Sequence, residues 1–480
     1  MNRPRLTRLG LALAFCSLAA CRTVGPDYHL PEESAYRSEE ANQPFLDTGN
    51  PEVSTTAELP DRWWELYHDD TLNALVEQAL KDNHELKIAA ARLEAAAAKY
   101  QEALDVAGFK GAGSAAVSHA QISPESFLLS ERLPTFNLAQ GQFGVSYTFD
   151  MFGKFKRVAE AAQANQQAVA AAQDIARISL VAQVAGSYSE ICHANHELHV
   201  AEQSLELQRD NRELVQRMIK AGRGTPQELA QANAQVALRE AALPPLRAHR
   251  QAAEYQLAAL LGHAPGHLPA GVADCHHAPE LHQPLPIGDG AALLKRRPDI
   301  RQAERKLAGA TARVGVAIGE LYPNISFGAS AGAAGLLKDF GGGMTRQWSL
   351  GPLLSWTMPT KGTHARIRAS EAGAEEALAE FDASVLDALR ETQTALSRYA
   401  QNLDRLEALR TAQQQAALVA EQNRRLYQNG RAPYRDSLDA ALTLSQAESA
   451  LADAEAQVSR DQIQLFLSLG GGWESTGKAE

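Results

Sequence analysis

Between Gly362 and Asn429 the chain has no proline and one internal glycine, Gly373. Those are the residues that end helices, so the run predicts a single helix, roughly 100 Å long at ~1.5 Å per residue. Globular helices usually stop after about 8–20 residues. Leu378, Val385, Leu389, Leu396, Leu403, Leu406 and Leu409 recur at spacings of three, four and seven, a narrow apolar seam among Ala, Gln, Glu and Arg. Such a helix needs neighbours along its whole length but has little bulk for a wide core. A turn at Asn429-Gly430-Arg431-Ala432-Pro433-Tyr434 then sends a second helical run back to Leu469.

The same design occurs earlier in the chain. Gly222-Arg223 precedes Gly430-Arg431 by 208 residues, and that offset also pairs Ala232 with Ala440, Glu240 with Glu448 and Leu243 with Leu451. An offset of 214 pairs Leu86 with Ile300, Ala89 with Ala303 and Leu93 with Leu307. Each half reads as helix, β-hairpin, long helix, turn and return helix, a tandem repeat. The first half predicts a helix from Thr71 to about Ala107, a long one from about Lys154 to Ala221, and a return from Gln227 to Leu261 kinked at Pro244-Pro245. In the second, a helix capped by Asp289 runs to about Leu321. Period-two alternation marks strands at about 111–121, 141–150, 323–331 and 346–358. Phe143, Val145, Tyr147 and Phe149 against Gly144, Ser146, Thr148 and Asp150 show it most clearly.

Residues 1–20 read as a signal peptide, with Arg3, Arg5 and Arg8 before a short apolar core that ends at Leu18-Ala19-Ala20-Cys21. That ending resembles a lipobox, making Cys21 the lipidated first mature residue, with diacylglycerol and N-acyl chains. Arg22 in place of Asp implies sorting to the outer membrane. Without residues 1–20 the net charge of −11 becomes −14, and an acidic chain lacking Lys/Arg runs argues against nucleic acid as a partner. Residues 21–60 form an extended arm, 61–262 and 289–472 the two repeats, 263–288 a connector and 473–480 a tail. No other window predicts a membrane-spanning helix, so a crossing must be a closed β-barrel. Four amphipathic strands cannot close one, since such barrels begin at about eight; three copies sharing one would supply twelve. The expected fold is therefore mainly α with a membrane β-barrel: a homotrimer of four strands per protomer, continuing into a long helical tunnel.

Cys21 with Val24-Gly25-Pro26-Asp27-Tyr28, Trp63-Trp64, Arg296-Arg297-Pro298-Asp299-Ile300, Tyr322-Pro323 and Leu469-Gly470-Gly471-Gly472-Trp473 together carry a family resemblance. The chain resembles the TolC-like outer-membrane factors, in their lipoprotein (NodT-type) branch. The resemblance implies a trimeric exit duct fed by an inner-membrane pump, of resistance-nodulation-division or major facilitator type, through a periplasmic adaptor. It places the protein in the outer membrane, lipid-anchored and extending into the periplasm, with 263–288 as an equatorial connector. The family's gate maps to Asp436 and Asp439, with Tyr427 nearby, and its adaptor-contact tips to Gly222, Arg223, Gly430 and Arg431. Glu228 and Gln231 hold the matching gate positions in the first repeat. Acids in a first helical turn also favour the helix dipole, and glycines are needed to reverse long helices, so each assignment has a structural alternative.

Cys192 lies 38 residues beyond Lys154, about half-way down the expected tunnel, where the connector bearing Cys275 begins. In the oxidising periplasm a Cys192–Cys275 disulfide is open to them. His193, His196, His199, His276, His277 and His282 cluster around these cysteines, but their spacing does not suit zinc, so no metal is expected. Gly341-Gly342-Gly343 lacks the lysine and helix of a phosphate loop. With no nucleophile–base set and no cofactor motif, the chain reads as a passive duct for drugs or other small toxic compounds, not an enzyme. The alternatives are a protein-secretion channel of type I on the same fold, or a structural envelope lipoprotein; a brace of that kind would need no amphipathic strands.

Overall fold

A computed structural model describes residues 23–46, 53–54, 59–121, 123–128, 130–132, 134–358 and 360–471. The signal peptide, Cys21 and the 473–480 tail lie outside them. In chain order, β1 (Val53–Ser54) precedes α1 (Asp70–Asp82), α2 (His84–Leu104), β2 (Gly108–Ala120), β3 (Phe136–Phe149), α3 (Lys154–Lys220) and α4 (Pro226–Leu260). The second half repeats the order: β4 (Leu285–Pro286), α5 (Gly290–Arg296), α6 (Pro298–Gly319), β5 (Asn324–Leu336), β6 (Arg346–Ser355), α7 (Lys361–Gln428) and α8 (Tyr434–Ser468).

The helix expected from Thr71 to Ala107 is two helices. Asn83 is extended, accepts from Leu86 N–H at 3.1 Å and donates to Leu260 O at 3.0 Å, so it caps α2 and ends α1. Its counterpart 214 residues on, Arg297, breaks the next helix because Pro298 disfavours a helical residue before it. Pro244 and Pro245 lie inside α4, which is helical through both. A window of α3 reaches mean hydropathy 1.2, with 44% of it buried within the fold.

The chain divides into two compact units, Met1–Pro31 with Leu93–Val169 and Ala303–Phe381, and Glu32–Arg92 with Ala170–Gln302 and Asp382–Glu480. The first holds a four-stranded antiparallel sheet in the order β2-β3-β5-β6. The strands outrun the expected ones at Gly108, Phe136 and Leu336, in the last case through Gly332-Ala333-Ala334-Gly335, which carries no apolar alternation; β6 stops at Ser355, short of 358. In register, Phe109, Tyr147, Phe327 and Pro352 share one face with Val145, Ala329 and Leu350, and with Phe143, Ala331 and Trp348. The other face carries Ser114, Gln142, Ser146, Ser330, Ser349 and Gln347, with Ser330 and Ser349 hydroxyls 2.8 Å apart. Pro352 is tolerated because β6 is an edge strand.

The N-terminal arm is docked in this unit. Val24 N–H donates to Phe152 O at 2.9 Å, and the buried Arg157 guanidinium donates to Val24 O, Gly25 O and the Asp27 carboxylate. The Arg157 contact holds the Asp27 carboxyl below the usual carboxylate range. Gly25 has φ +82° and a Cβ there would sit 2.4 Å from Gly315 Cα, so only glycine fits.

In the second unit Trp63 and Trp64 are buried, and Trp63 stacks on Phe466 with ring centroids 4.5 Å apart. The arm continues here through short 3-10 turns at Ala35–Arg37 and Glu40–Asn42, and β1 pairs parallel with β4. Ser34 Oγ donates to Asp382 at 2.6 Å. Where described, residues 21–60 are therefore an arm held along the surface of the fold. Arg297 donates to Ser468 O at 2.8 Å, to Asp299 and to Glu391, closing the end of α8 against α7.

Candidate functional site

Both helix reversals use one hydrogen-bond pattern. Gly222 (φ +73°) donates to Ile219 O and Arg223 N–H reaches back to Met218 O, both at 2.9 Å. Gly430 (φ +68°) donates to Tyr427 O at 2.9 Å and Arg431 N–H to Leu426 O at 2.8 Å. A left-handed glycine followed by a bond back across five residues closes a helix C-terminus. The return helices end alike, at Gly262 and Gly470, again 208 residues apart. A Cβ at Gly222 or Gly430 would meet nothing within 4 Å, so the backbone conformation alone demands glycine. Arg223 and Arg431 are exposed beside them.

The two tips differ one turn later. Thr225 caps α4 and Glu228 completes a reciprocal box, its carboxylate accepting from Thr225 N–H at 2.8 Å. The matching residue before α8 is Pro433, which makes no side-chain cap. Glu228 is thus committed to its helix start while Asp436, its counterpart, has no such duty. Asp436 and Asp439 are exposed, and Asp439 has only a 3.9 Å approach from the exposed Arg435. Tyr427 meets Tyr434 edge-on at 5.1 Å between centroids, and burial followed by the nearby Asp210 charge pushes the Tyr434 phenol up. The structure brings Tyr427 to the helix turn and sets both aspartates in the first turns of α8; in a single chain these acids face solvent and constrict nothing.

Elsewhere, Cys192 and Cys275 are bonded, with Cα atoms 4.7 Å apart. Cys192 is fully buried on α3, so the disulfide pins the connector to that helix. Among the described residues no group of three or more His, Cys, Asp or Glu is arranged to hold a metal. The apolar face of the sheet stays exposed: Phe109 is 83% and Trp348 79% accessible. Rings that large on a wet surface would be costly, so the face calls for an apolar surrounding. Arg297, part of the quoted Arg-Arg-Pro-Asp run, and Arg157, which belongs to no quoted motif, both hold backbone carbonyls far along the chain; nothing local in the sequence names a carbonyl 171 residues away.

Residues 75–263 and 291–471, one segment for each repeat, match the family described as outer membrane efflux protein. The chain is 27% identical to Nodulation protein T of Rhizobium leguminosarum bv. trifolii over 99% of both chains. It is 26% identical to the Cation efflux system protein CusC of Escherichia coli (strain K12), over 97% of this chain and 98% of the relative. The solved outer-membrane channel OprN superposes with a TM-score of 0.84 at 31% identity, covering 94% of this chain and 99% of that one. The Campylobacter jejuni CmeC outer membrane channel, at 20% identity and TM-score 0.82 over 95% of this chain and 96% of its own, bears on the fold alone. Since the match takes in both repeats and well over half of its residues, the chain belongs to the outer membrane efflux protein family.

Proposed function

We propose that this protein is the passive exit duct of a tripartite efflux system. The observation that carries the reading is the four-stranded sheet, apolar and exposed on one face, polar on the other, with β2 and β6 left as edges. An edge is a template for pairing, and an apolar face needs lipid. Three copies joined β6 to β2 would close a twelve-stranded barrel with its polar face inward and its apolar face in the outer membrane. Helices α3 and α7, each roughly 100 Å by rise per residue, suit a periplasmic tunnel wall.

Cys21 carries the lipid anchor in this reading; Thr23, two residues on, packs against Gly153 where β3 passes into α3. The tips at Gly222-Arg223 and Gly430-Arg431 meet a periplasmic adaptor, and Asp436 and Asp439 from three protomers, with Tyr427, form the gate. Like charges that converge repel one another and attract cations, so the closed gate is cation-preferring and loosely held. The cargo is small toxic compounds, including drugs, delivered by a resistance-nodulation-division or major facilitator pump. Among the relatives are proteins named for cation efflux and for antibiotic efflux. The test is a strain lacking its outer-membrane efflux channels, supplied with this chain, its adaptor and its pump. Drug accumulation should fall with the wild type and not with Trp348→Asp, whose charge would sit on the lipid face. Accumulation that does not fall with the wild type would remove the reading.

A further inference from the structure

The second unit contains a cavity of about 520 Å³ that the exit-duct reading does not use. Helices α3, α7 and α8 wall it, and connector residues 276–281 roof it. The roof is fixed at one end, because Cys275 is bonded to Cys192 and Asn195 Nδ2 donates to Ala273 O at 2.8 Å and to Cys275 O at 2.7 Å. Leu403, Leu406 and Val458 line the cavity with apolar surface. Against them stand four carboxylates, Glu280, Asp404, Glu407 and Glu455, and one guanidinium, Arg410.

Two of the groups are poorly provided for. Glu455 is half-buried and has no salt bridge among the described residues. Burial raises its carboxyl pKa, more than the nearby His196 and Arg410 lower it. The Nε2 atom of His193 is buried without a hydrogen-bond partner among the described residues. Burial, and then the charges of Arg460 and His196, push that imidazole down to about 4, so at neutral pH it is uncharged.

We propose that this cavity binds an amphipathic organic cation, whose ammonium group donates to Glu455 while its hydrocarbon body lies on Leu403, Leu406 and Val458. A bound ammonium would give Glu455 a direct charged hydrogen bond, where Arg410 and His196 act only through space, and a neutral His193 would not repel it. The volume falls within the few hundred to about 1,000 Å³ usual for small-molecule sites. A metal ion is served less well, because no three donors converge there. The proposal does not depend on the duct or its gate.

The experiment is calorimetric titration of the full chain in detergent with phenethylammonium chloride near neutral pH. Saturable binding is expected, weakened about tenfold by Glu455→Gln and unchanged by Asp436→Ala/Asp439→Ala, which keeps this site apart from the helix tips. Leu403→Ser, which removes apolar lining and leaves every carboxylate in place, should weaken binding as well and covers the case in which the Glu455 variant does not fold. Ammonium chloride, which lacks a hydrocarbon body, should bind far more weakly. Absence of saturable heat, wild-type affinity in both the Glu455 and the Leu403 variants, or loss of binding in the tip variant would each overturn the proposal. So would tight Zn²⁺ binding abolished by His193→Asn with no response to the amine.

Discussion

One carbonyl at the end of α8 takes two side-chain donors. Ser468 O accepts from Arg297 Nη1 at 2.8 Å and from Thr392 Oγ1 at 3.1 Å, and both contacts are buried. Thr392→Val removes a neutral hydrogen bond, so it should cost ~1 kcal/mol. Arg297→Met removes a charged one, worth ~1.5–3 kcal/mol. Its ion pairs with Asp299 and Glu391 add little, since those acids are 36% and 45% exposed and rehydrate, as surface pairs of ~0–1 kcal/mol do. In either single variant the carbonyl keeps a partner; in the double variant it is buried with none among the described residues, a further ~1–3 kcal/mol. Equilibrium guanidinium unfolding of the detergent-solubilised protein, wild type against the three variants, should therefore show the double variant costing more than the sum of the singles by ~1 kcal/mol or more. Additivity within ~0.3–0.5 kcal/mol would refute the shared-carbonyl argument.

Gly25→Ala should free the N-terminal arm, because its Cβ would lie 2.4 Å from Gly315 Cα, and limited proteolysis should then cut within residues 23–31. Gly266→Ala, at φ +86° with nothing within 4 Å, should cost only the ~1–2 kcal/mol of left-handed strain and leave the digest unchanged. The Cys192–Cys275 bond closes a loop across 83 residues, so reduction should lower the unfolding midpoint by the equivalent of ~4–5 kcal/mol on chain entropy; an unmoved midpoint would show that the unfolded state gains nothing. His193 has a depressed folded-state pKa, so its contribution is intact above the unfolded value of 6.5 and is lost as pH falls toward about 4. Loss of up to ~3 kcal/mol over that window should be absent from His193→Asn, and identical pH profiles would contradict it.

The long helices and the duplication were legible because length without proline or glycine, and a constant offset, survive any detail of packing. Gly222 and Gly430 were legible for the same reason: reversal of a long helix needs a left-handed residue. The break at Asn83 was not, since an asparagine inside an amphipathic run becomes a cap only when Leu260 O arrives to meet its amide. The end of β5 was missed because Gly332-Ala333-Ala334-Gly335 puts small residues on both faces and leaves no alternation to read. The unequal tips were visible as Glu228 against Asp436, but the reason lies in Thr225 against Pro433, a capping box present in one repeat and excluded from the other. The cavity beside the disulfide joins residues 193 to 462, and only the fold brings them together.

Single-channel conductance in planar bilayers, wild type against Asp436→Ala/Asp439→Ala, tests the gated-duct account most directly. The wild type should give small, cation-selective currents that grow and lose selectivity in the variant, as expected if three pairs of acids constrict one pore. Folded trimers that conduct in neither form, or currents identical in both, would contradict it.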